Sequence, residues 1–224
     1  MTDTLYLDIE TLPSNEEWAI EYAIKDTKPP ATIKKQDTLE KWWLETFPSV
    51  KQEKIRNLAL YGATNRILCI GYAKNDEEPT ALYAKGDSRD DEANILEGFF
   101  QFFSSEVPLV NRVVGHNITG FDMNIIKQRA IVHGLETPVN MQFDCKPWDM
   151  AVYDTMYNWD NRNKVSLDLL TKALGVETPK DGDIDGSKVY DYYMEGRHEE
   201  IAEYCKRDVV AVREVYKKMV KVIR

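Results

Sequence analysis

The sequence predicts an α/β fold, in which a mixed β-sheet is flanked by α-helices. Short apolar runs typical of strands alternate along the chain with longer segments whose apolar residues recur at helical spacing, and this alternation is characteristic of α/β sheets. The chain has 224 residues, of which 43% are apolar and 11% aromatic, so a single domain would bury roughly 70–75% of its unfolded surface. We therefore expect residues 1–224 to form one domain.

Three strands are predicted in the first half of the chain. Thr4–Ile9 has the composition of a buried strand, and Ile67–Lys74 and Thr80–Lys85 have that of two more. Residues 75–79, between the second and third strands, are rich in Asn, Asp, Glu and Pro, and this composition predicts a hairpin connection.

Helical spacing dominates the rest of the sequence. Asp90–Ser105 contains four phenylalanines, which we expect to pack in the core. Leu109–His116 predicts a strand, and Phe121–His133 predicts the helix that follows it. The final third predicts three further helices, the last of which is long and amphipathic: Ser166–Leu174, Ser187–Met194 and His198–Val222.

Charge and cysteine usage restrict the class of protein. The net charge of −9 argues against a protein that coats DNA tightly and nonspecifically, because such proteins carry a basic surface. It does not exclude a nuclease, since bound cations would offset a local acidic cluster. The three cysteines are widely spaced and odd in number, which predicts reduced thiols and a cytoplasmic location. Without an 18-residue apolar run, we expect neither a membrane span nor a signal peptide.

Four acidic residues in three separated segments form the candidate chemical centre: Asp8 and Glu10, Asp122, and Asp208. Alternate residues share one face of a strand, so Asp8 and Glu10 point the same way. Two like charges ~4 Å apart repel by roughly 4 kcal/mol at an effective dielectric of 20. A bound cation would remove that repulsion, whereas a purely structural role would not.

The other two acids lie on predicted helices. Tyr204 and Asp208 are four residues apart, so they share a helix face about 6 Å apart along the axis. Asp122 begins a predicted helix, where an acidic residue is also favoured by the helix dipole alone. Each spacing recurs elsewhere in the chain, so the hypothesis depends on the complete set. If the fold brings the four acids together, they form a cage for two divalent cations, which predicts phosphodiester cleavage.

Taken in order, the motifs resemble those of the DEDD superfamily of 3′–5′ exonucleases, which have a ribonuclease-H-like fold with a mixed sheet of about five strands. The first motif is Asp8-Ile9-Glu10-Thr11. The second, Gly-His-Asn-Ile-Thr-Gly-Phe-Asp at residues 115–122, is similar to the proofreading exonuclease domain of family B DNA polymerases. The third, Tyr204-x-x-x-Asp208, fits the tyrosine variant (DEDDy), because Glu203 stands where the histidine variant has His. Val165–Leu170 and Leu174-Gly175 are similar to a linking helix in polymerase-B-like stand-alone exonucleases, so the resemblance is to a stand-alone form of this domain.

The resemblance implies a role for each motif residue. Two Mg²⁺ or Mn²⁺ ions would be held by Asp8, Glu10, Asp122 and Asp208, and Tyr204 would orient the attacking water; these five residues form the predicted catalytic set. Four neighbours are candidate substrate-binding residues, with packing the more expected role for the last: Thr11, Leu12, Asn117 and Phe121.

The implied activity is metal-dependent hydrolysis of phosphodiester bonds from a free 3′ end, with release of nucleoside 5′-monophosphates. We expect single-stranded DNA as the substrate and no membrane partner. The 224 residues show no polymerase domain, so any proofreading would have to occur in trans, with replication or repair proteins as possible partners; repair, phage replication and nucleotide salvage are equally open as pathways. An exoribonuclease with the same chemistry, and a noncatalytic nucleic-acid-binding module on the same fold, are the alternatives.

Residues 14–65 separate the first two strands and are longer than a minimal exonuclease domain requires. Their composition is helical and partly amphipathic, and they include Trp18, Trp42 and Trp43. We interpret the segment as a helical insertion packed on the flank of the domain. The alternative is a lid, or a wall near the active site on which a nucleic-acid strand stacks.

Overall fold

The computed structural model describes residues 3–106, 110–146, 149, 151–178 and 184–222. Its strands are β1 (Asp3–Pro13), β2 (Asn65–Lys74), β3 (Thr80–Tyr83), β4 (Val110–Gly115) and β5 (Val152–Asp154). They form one sheet in the order β3-β2-β1-β4-β5. The β2/β3 pair is antiparallel, whereas β1/β4 and β4/β5 are parallel. The predicted α/β class with a mixed sheet of about five strands is therefore confirmed.

The helices flank this sheet or lie in the segment between β1 and β2. They are α1 (Glu17–Ile24), α2 (Gln36–Lys41), α3 (Phe47–Asn57), α4 (Arg89–Glu106), α5 (Asp122–His133), α6 (Thr155–Trp159), α7 (Leu167–Leu174), α8 (Val189–Met194) and α9 (His198–Met219). A π-helical turn, Trp42–Thr46, joins α2 to α3, and a 3₁₀ turn, Leu58–Leu60, follows α3. Within the described ranges, no helix is both long enough and apolar enough to cross a membrane.

The main elements agree with the sequence predictions within a few residues at their ends. The predicted hairpin is present, with Cys69 opposite Tyr83 in the β2/β3 register. Leu109, where the fourth strand was predicted to begin, lies outside the described residues. Two elements were not predicted, β5 and the short helix α6, because β5 has three residues and is too short to show strand periodicity.

The chain divides into two compact units, one containing Met1–Glu10 and Ile67–Arg224 and the other Thr11–Arg66. The second unit is close in extent to the helical insertion predicted at residues 14–65. The assignment of all 224 residues to a single domain stays a prediction.

One face of the sheet in the first unit packs against α9. Tyr6 on β1 shares a buried apolar cluster with Val209 and Val212 of α9. Because strand residues alternate between the two faces, Asp8 and Glu10 lie on the same face as Tyr6, toward α9. The apolar packing of Tyr6 thus sets the register that carries both acids to the helix.

Three of the four phenylalanines of α4 lie in the core, as predicted, and Phe102 is partly exposed. Phe99 and Phe103 are almost fully buried, and the Phe99 ring packs against that of Tyr72 on β2 at a centroid distance of 5.7 Å. Apolar burial of this size contributes about 2–3 kcal/mol per side chain, so α4 has a structural reason for its aromatic content.

The second unit is built around contacts between α1 and α3. Ala19 of α1 is fully buried, and Trp42 is nearly so. The Trp42 ring meets that of Trp43 edge to face at 4.8 Å, and the Trp43 ring meets Phe47 at the same distance. Trp42 is buried, whereas Trp43 is 43% exposed, so this aromatic group extends from the interior of the unit to its surface.

Candidate active site

Strand β1 and helix α9 bring three of the predicted acids together. Asp8, Glu10 and Asp208 each offer a carboxylate oxygen, and these oxygens all lie within 4.8 Å of one another. Glu10 and Asp208 are buried, whereas Asp8 is partly exposed. The three carboxylates therefore form a cluster of oxygen donors that is partly accessible to solvent at Asp8.

A glycine on β2 determines how closely α9 approaches the sheet. A Cβ atom at Gly71 would lie 2.7 Å from Cys205 Sγ and 3.2 Å from the Cys205 carbonyl oxygen, so any larger residue would push the helix outward. The Cys205 thiol in turn lies 3.4 Å from Asp8 Oδ2. Because Cys205 is adjacent in sequence to Tyr204 and precedes Asp208 by one helical turn, this contact fixes the turn of α9 that carries both residues.

The electrostatics of the cluster favour a bound cation. Burial raises the pKa of Asp8 and of Glu10 well above the usual carboxyl range, and the nearby Asp208 carboxylate raises both further. Without a cation, these shifts favour the protonated form of both acids. A divalent cation would displace those protons and neutralise the repulsion between the acids. The three residues of the group are all carboxylates, and hard carboxylate oxygens suit Mg²⁺ or Mn²⁺.

Asp122 lies beside this group but outside it. It is the first residue of α5 and is buried, and its Oδ1 accepts the Ile9 N–H at 3.1 Å, between the two acids of β1. Burial raises the pKa of Asp122 to about 8, and the Asp154 and Asp208 carboxyls contribute in the same direction. The charge of the cluster therefore affects the protonation of Asp122. From the sequence alone, an acid at the start of a helix could also have served only to stabilise the helix dipole.

Tyr204 presents its hydroxyl to the carboxylates. The side chain is buried, and its hydroxyl donates a hydrogen bond to the Asp208 carboxyl. Burial raises the pKa of the phenol, and the charges of Asp208 and Glu10 raise it further. Tyr204 therefore stays protonated and acts as a hydrogen-bond donor.

Asp154 is a site-supporting residue that the sequence analysis missed. This last residue of β5 is 1% exposed and accepts the N–H of Asn117 at 3.0 Å and that of Thr119 at 3.2 Å, as well as the Thr119 hydroxyl at 2.8 Å. It also caps α6 through two backbone N–H groups: those of Met156 and Tyr157. Asn117 has a φ of 59°, so one carboxylate holds the left-handed turn that leads to Asp122.

His116, directly before Asn117, stabilises the same turn through hydrogen bonds of its ring. Its Nε2 lies 2.8 Å from the Val165 carbonyl oxygen and its Nδ1 lies 2.9 Å from the Thr155 hydroxyl. Burial lowers the pKa of His116, which favours the neutral ring, and the carbonyl partner then requires the proton on Nε2. His116 thus joins the second motif to the segment before α7 rather than serving as a proton donor to a substrate.

The four predicted substrate-binding residues have different environments. Asn117 and Phe121 are partly exposed in the turn before Asp122. Leu12 is fully buried, and the Thr11 hydroxyl donates to the Ala59 carbonyl at 2.8 Å. The structure thus occupies the Thr11 hydroxyl and the Leu12 side chain with internal contacts, and a role in substrate binding stays a prediction for all four residues.

Comparison with known proteins gives the family and the fold. The family described as predicted 3′–5′ exonucleases related to the exonuclease domain of PolB matches residues 60–223, a range that includes Asp122, Tyr204 and Asp208 but begins after Asp8 and Glu10. A similar solved structure is the family B DNA polymerase from the hyperthermophilic archaeon Pyrobaculum calidifontis, with a TM-score of 0.63 and 17% identity over 98% of this chain. A comparison with curated proteins finds no match.

The structural likeness bears on the fold alone, because the sequence identity is low and this chain spans 25% of the polymerase chain. It confirms the mixed, five-stranded α/β architecture that the resemblance implied. The family match covers most of the chain, including two of the three motifs. The chain therefore belongs to the family of predicted 3′–5′ exonucleases related to the exonuclease domain of PolB.

Proposed function

We propose that the protein is a divalent-metal-dependent 3′–5′ exonuclease of the DEDDy kind, which hydrolyses phosphodiester bonds of single-stranded DNA and releases nucleoside 5′-monophosphates. The observation that carries the proposal is the cluster of Asp8, Glu10 and Asp208, whose ligand oxygens lie within 4.8 Å of one another. The family membership supplies the reaction class, and the cluster supplies a place for it.

The proposed cofactors are two Mg²⁺ or Mn²⁺ ions. Asp8, Glu10 and Asp208 would hold one of them, and Asp8 and Asp122 would support the second. When bound, such ions lower the pKa of a coordinated water and neutralise charge that develops on the phosphate and on the leaving oxygen. The fit rests on the donor chemistry, because hard carboxylate oxygens are the ligands that these ions prefer.

The protein's own residues then position the reactants. Tyr204 keeps its phenolic proton, since burial and the adjacent carboxylates raise its pKa; the proposed role is therefore to orient the attacking water by a hydrogen bond and not to remove a proton from it. Asp154 and His116 hold the turn before Asp122, so that this carboxyl stays beside β1. Fixed geometry of this kind lowers the entropic part of the barrier.

The proposal is tested with end-labelled single strands of DNA and RNA, incubated with Mn²⁺, Mg²⁺ or a chelator. We expect the wild-type protein to shorten the DNA from its 3′ end in a metal-dependent manner. Asp208→Asn should lose roughly 100- to 1,000-fold in rate, the size of one lost transition-state charge contact. The matched control is Glu203→Gln, because Glu203 is an exposed acid on the same helix.

Each alternative has its own outcome in this experiment. Faster shortening of the RNA strand would replace the DNA substrate by RNA and retain the chemistry. An Asp208→Asn variant that degrades DNA at the wild-type rate would remove the cluster from the mechanism. A wild-type protein that binds the strands but never shortens them would leave a noncatalytic binding module.

A further inference from the structure

The second compact unit, residues 11–66, contains a cleft that the proposed catalytic site does not use. Its volume is about 770 Å³, within the roughly 300–1,000 Å³ range of small-ligand sites. It is lined by α1, by the C-terminal end of α3 and by the turn that follows, including Tyr61 and Thr64. The lining is mainly apolar carbon, so the cleft would bind a flat, weakly polar group.

Three aromatic rings line this cleft and remain open to solvent. Trp18, Tyr22 and Tyr61 are 51%, 57% and 64% exposed, although large aromatic side chains are normally mostly buried. Trp18 and Tyr22 are four residues apart on α1 and so share one face of the helix. Both rings are more than half exposed, whereas the neighbouring Ala19 is fully buried, so the rings stand at the edge of the packed side of α1.

Two lysines accompany the rings. Lys25 continues the Trp18–Tyr22 face of α1, with its Nζ 4.4 Å from the centre of the Tyr22 ring, and Lys54 enters from α3. Asp26 is the acid in the lining. Lys54 makes no ion pair with any side chain that the structure describes, so its charge is available to an anion.

The charge of the unit differs from that of the rest of the chain. Residues 11–66 contain nine Lys and Arg and eight Asp and Glu, which gives a net charge of +1. The whole chain has a net charge of −9, so the remaining residues have a net charge of −10. A polyanion is repelled by the first unit as a whole but not by this one. Exposed aromatic rings beside a lysine without an ion pair, such as Lys54, are a combination that binds single-stranded nucleic acid, by base stacking and by phosphate contact.

We propose that the cleft formed by Trp18, Tyr22, Lys25, Lys54 and Tyr61 binds single-stranded nucleic acid, with bases stacked on the rings and a phosphate at Lys54. The choice of partner rests on the proposed nuclease function, because a protein surface could also cover apolar rings. Base stacking tolerates every base, so the site would bind without sequence preference. It would hold the polymer independently of the chemical step.

The test measures binding without cleavage. Fluorescence anisotropy of labelled 12-nucleotide oligo-dT and oligo-U, in chelator, gives the dissociation constant of the full chain for DNA and RNA strands. We expect the double variant Tyr22→Leu/Tyr61→Leu to bind either strand at least about 5-fold more weakly, because each stacked base contributes about 1–3 kcal/mol, a factor of roughly 5 to 150. The matched control is Tyr22→Phe/Tyr61→Phe, which keeps the rings and should bind within twofold of wild type.

The lysine has a matched control on its own helix. Lys54→Ala should reduce the slope of log Kd against log salt by about 0.7, the value for one phosphate contact to a single strand. Lys51→Ala should not, because Lys51 also lies on α3 but does not line the cleft. A blunt duplex of equal length should bind more weakly than the single strands, since its base faces are covered.

The proposal is overturned if the Leu variant binds as tightly as the Phe variant while both remain folded, or if the wild-type chain binds neither oligonucleotide. It is also overturned if the duplex binds as tightly as the single strands. These outcomes are separate from failure of the proposed nuclease activity, because the binding experiment contains no metal and needs no hydrolysis. A chain that never cleaves but shows the Leu-versus-Phe difference retains the cleft as a nucleic-acid site.

Discussion

The Asp122 carboxyl should destabilise the metal-free protein as the pH rises. Burial and the charges of Asp154 and Asp208 raise its pKa to about 8 in the folded chain, from about 3.9 in an unfolded one. Between those values the folded state holds a proton that the unfolded state has lost. Its favourable contribution is therefore complete below about pH 4 and is lost as the pH rises through about 8.

The size of this effect follows from proton linkage. One proton held only by the folded state lowers the unfolding free energy by about 1.4 kcal/mol per pH unit, which is about 3 kcal/mol between pH 5.5 and pH 7.5. The raised pKa values of Asp8 and Glu10 add in the same direction. Asp122→Asn removes the charge and keeps an oxygen that can accept the Ile9 N–H. Between pH 5.5 and pH 7.5, the unfolding free energy of this variant should therefore fall by about 3 kcal/mol less than that of the wild-type protein.

Urea unfolding in chelator at the two pH values measures this difference. The matched control is Asp37→Asn, which changes an exposed acid on α2 and should leave the wild-type slope unchanged. Saturating Mn²⁺ should make the wild-type protein more stable than Asp122→Asn at pH 7.5. A ligand that binds only the folded state stabilises it, and the complete cluster binds the ion more tightly than the incomplete one. A wild-type protein whose metal-free stability is constant or rises between pH 5.5 and 7.5 would refute the reasoning, as would an Asp122→Asn variant with the wild-type slope.

Three further substitutions test how the site is built. Tyr204→Phe removes the hydroxyl that orients water, so kcat should fall roughly 100-fold, the cost of a misplaced reactant, while the calorimetric affinity for Mn²⁺ stays within about threefold. An unchanged kcat would exclude the role. Gly71→Ala should destabilise the fold by about 1–3 kcal/mol and weaken Mn²⁺ binding, because the new methyl group would meet Cys205 at 2.7 Å; Gly98→Ala, whose methyl would lie at an ordinary 3.4 Å, is the control for the unfolding measurement. Asp154→Asn should cost about 1–3 kcal/mol through weakened acceptance of buried N–H groups and should lower kcat more than KM; a variant with lower stability but full kcat would leave Asp154 a purely structural residue.

The parts of the site that lie on long, regular elements could be predicted from the sequence. Strand alternation places Asp8 and Glu10 on one face, and helical spacing places Tyr204 with Asp208, so local periodicity alone sets each pair. Their meeting depends on the order of strands in the sheet, which periodicity does not contain. The resemblance of the ordered motifs supplied that information.

The parts that depend on short elements or on close packing could not be predicted. Asp154 ends a three-residue strand and acts on a turn 35–37 positions earlier in the sequence, a pairing that no local pattern encodes. Its one local signal is the N-cap pattern before α6. The approach of α9 to Gly71 is likewise a tertiary contact. The sequence of the segment with Trp18 and Tyr22 predicts only a partly amphipathic helix. It does not show that these two rings are exposed, because exposure depends on which other elements pack against the helix.

A crystal structure of the protein grown with Mn²⁺ tests the central claim most directly, because anomalous scattering locates the ion without reference to activity. The account predicts an anomalous peak within about 2.0–2.4 Å of carboxylate oxygens from Asp8, Glu10 and Asp208, and no peak there in Asp208→Asn crystals of the same form. The account would be contradicted if, in saturating Mn²⁺, the three acids lie together as described but no anomalous peak appears between them.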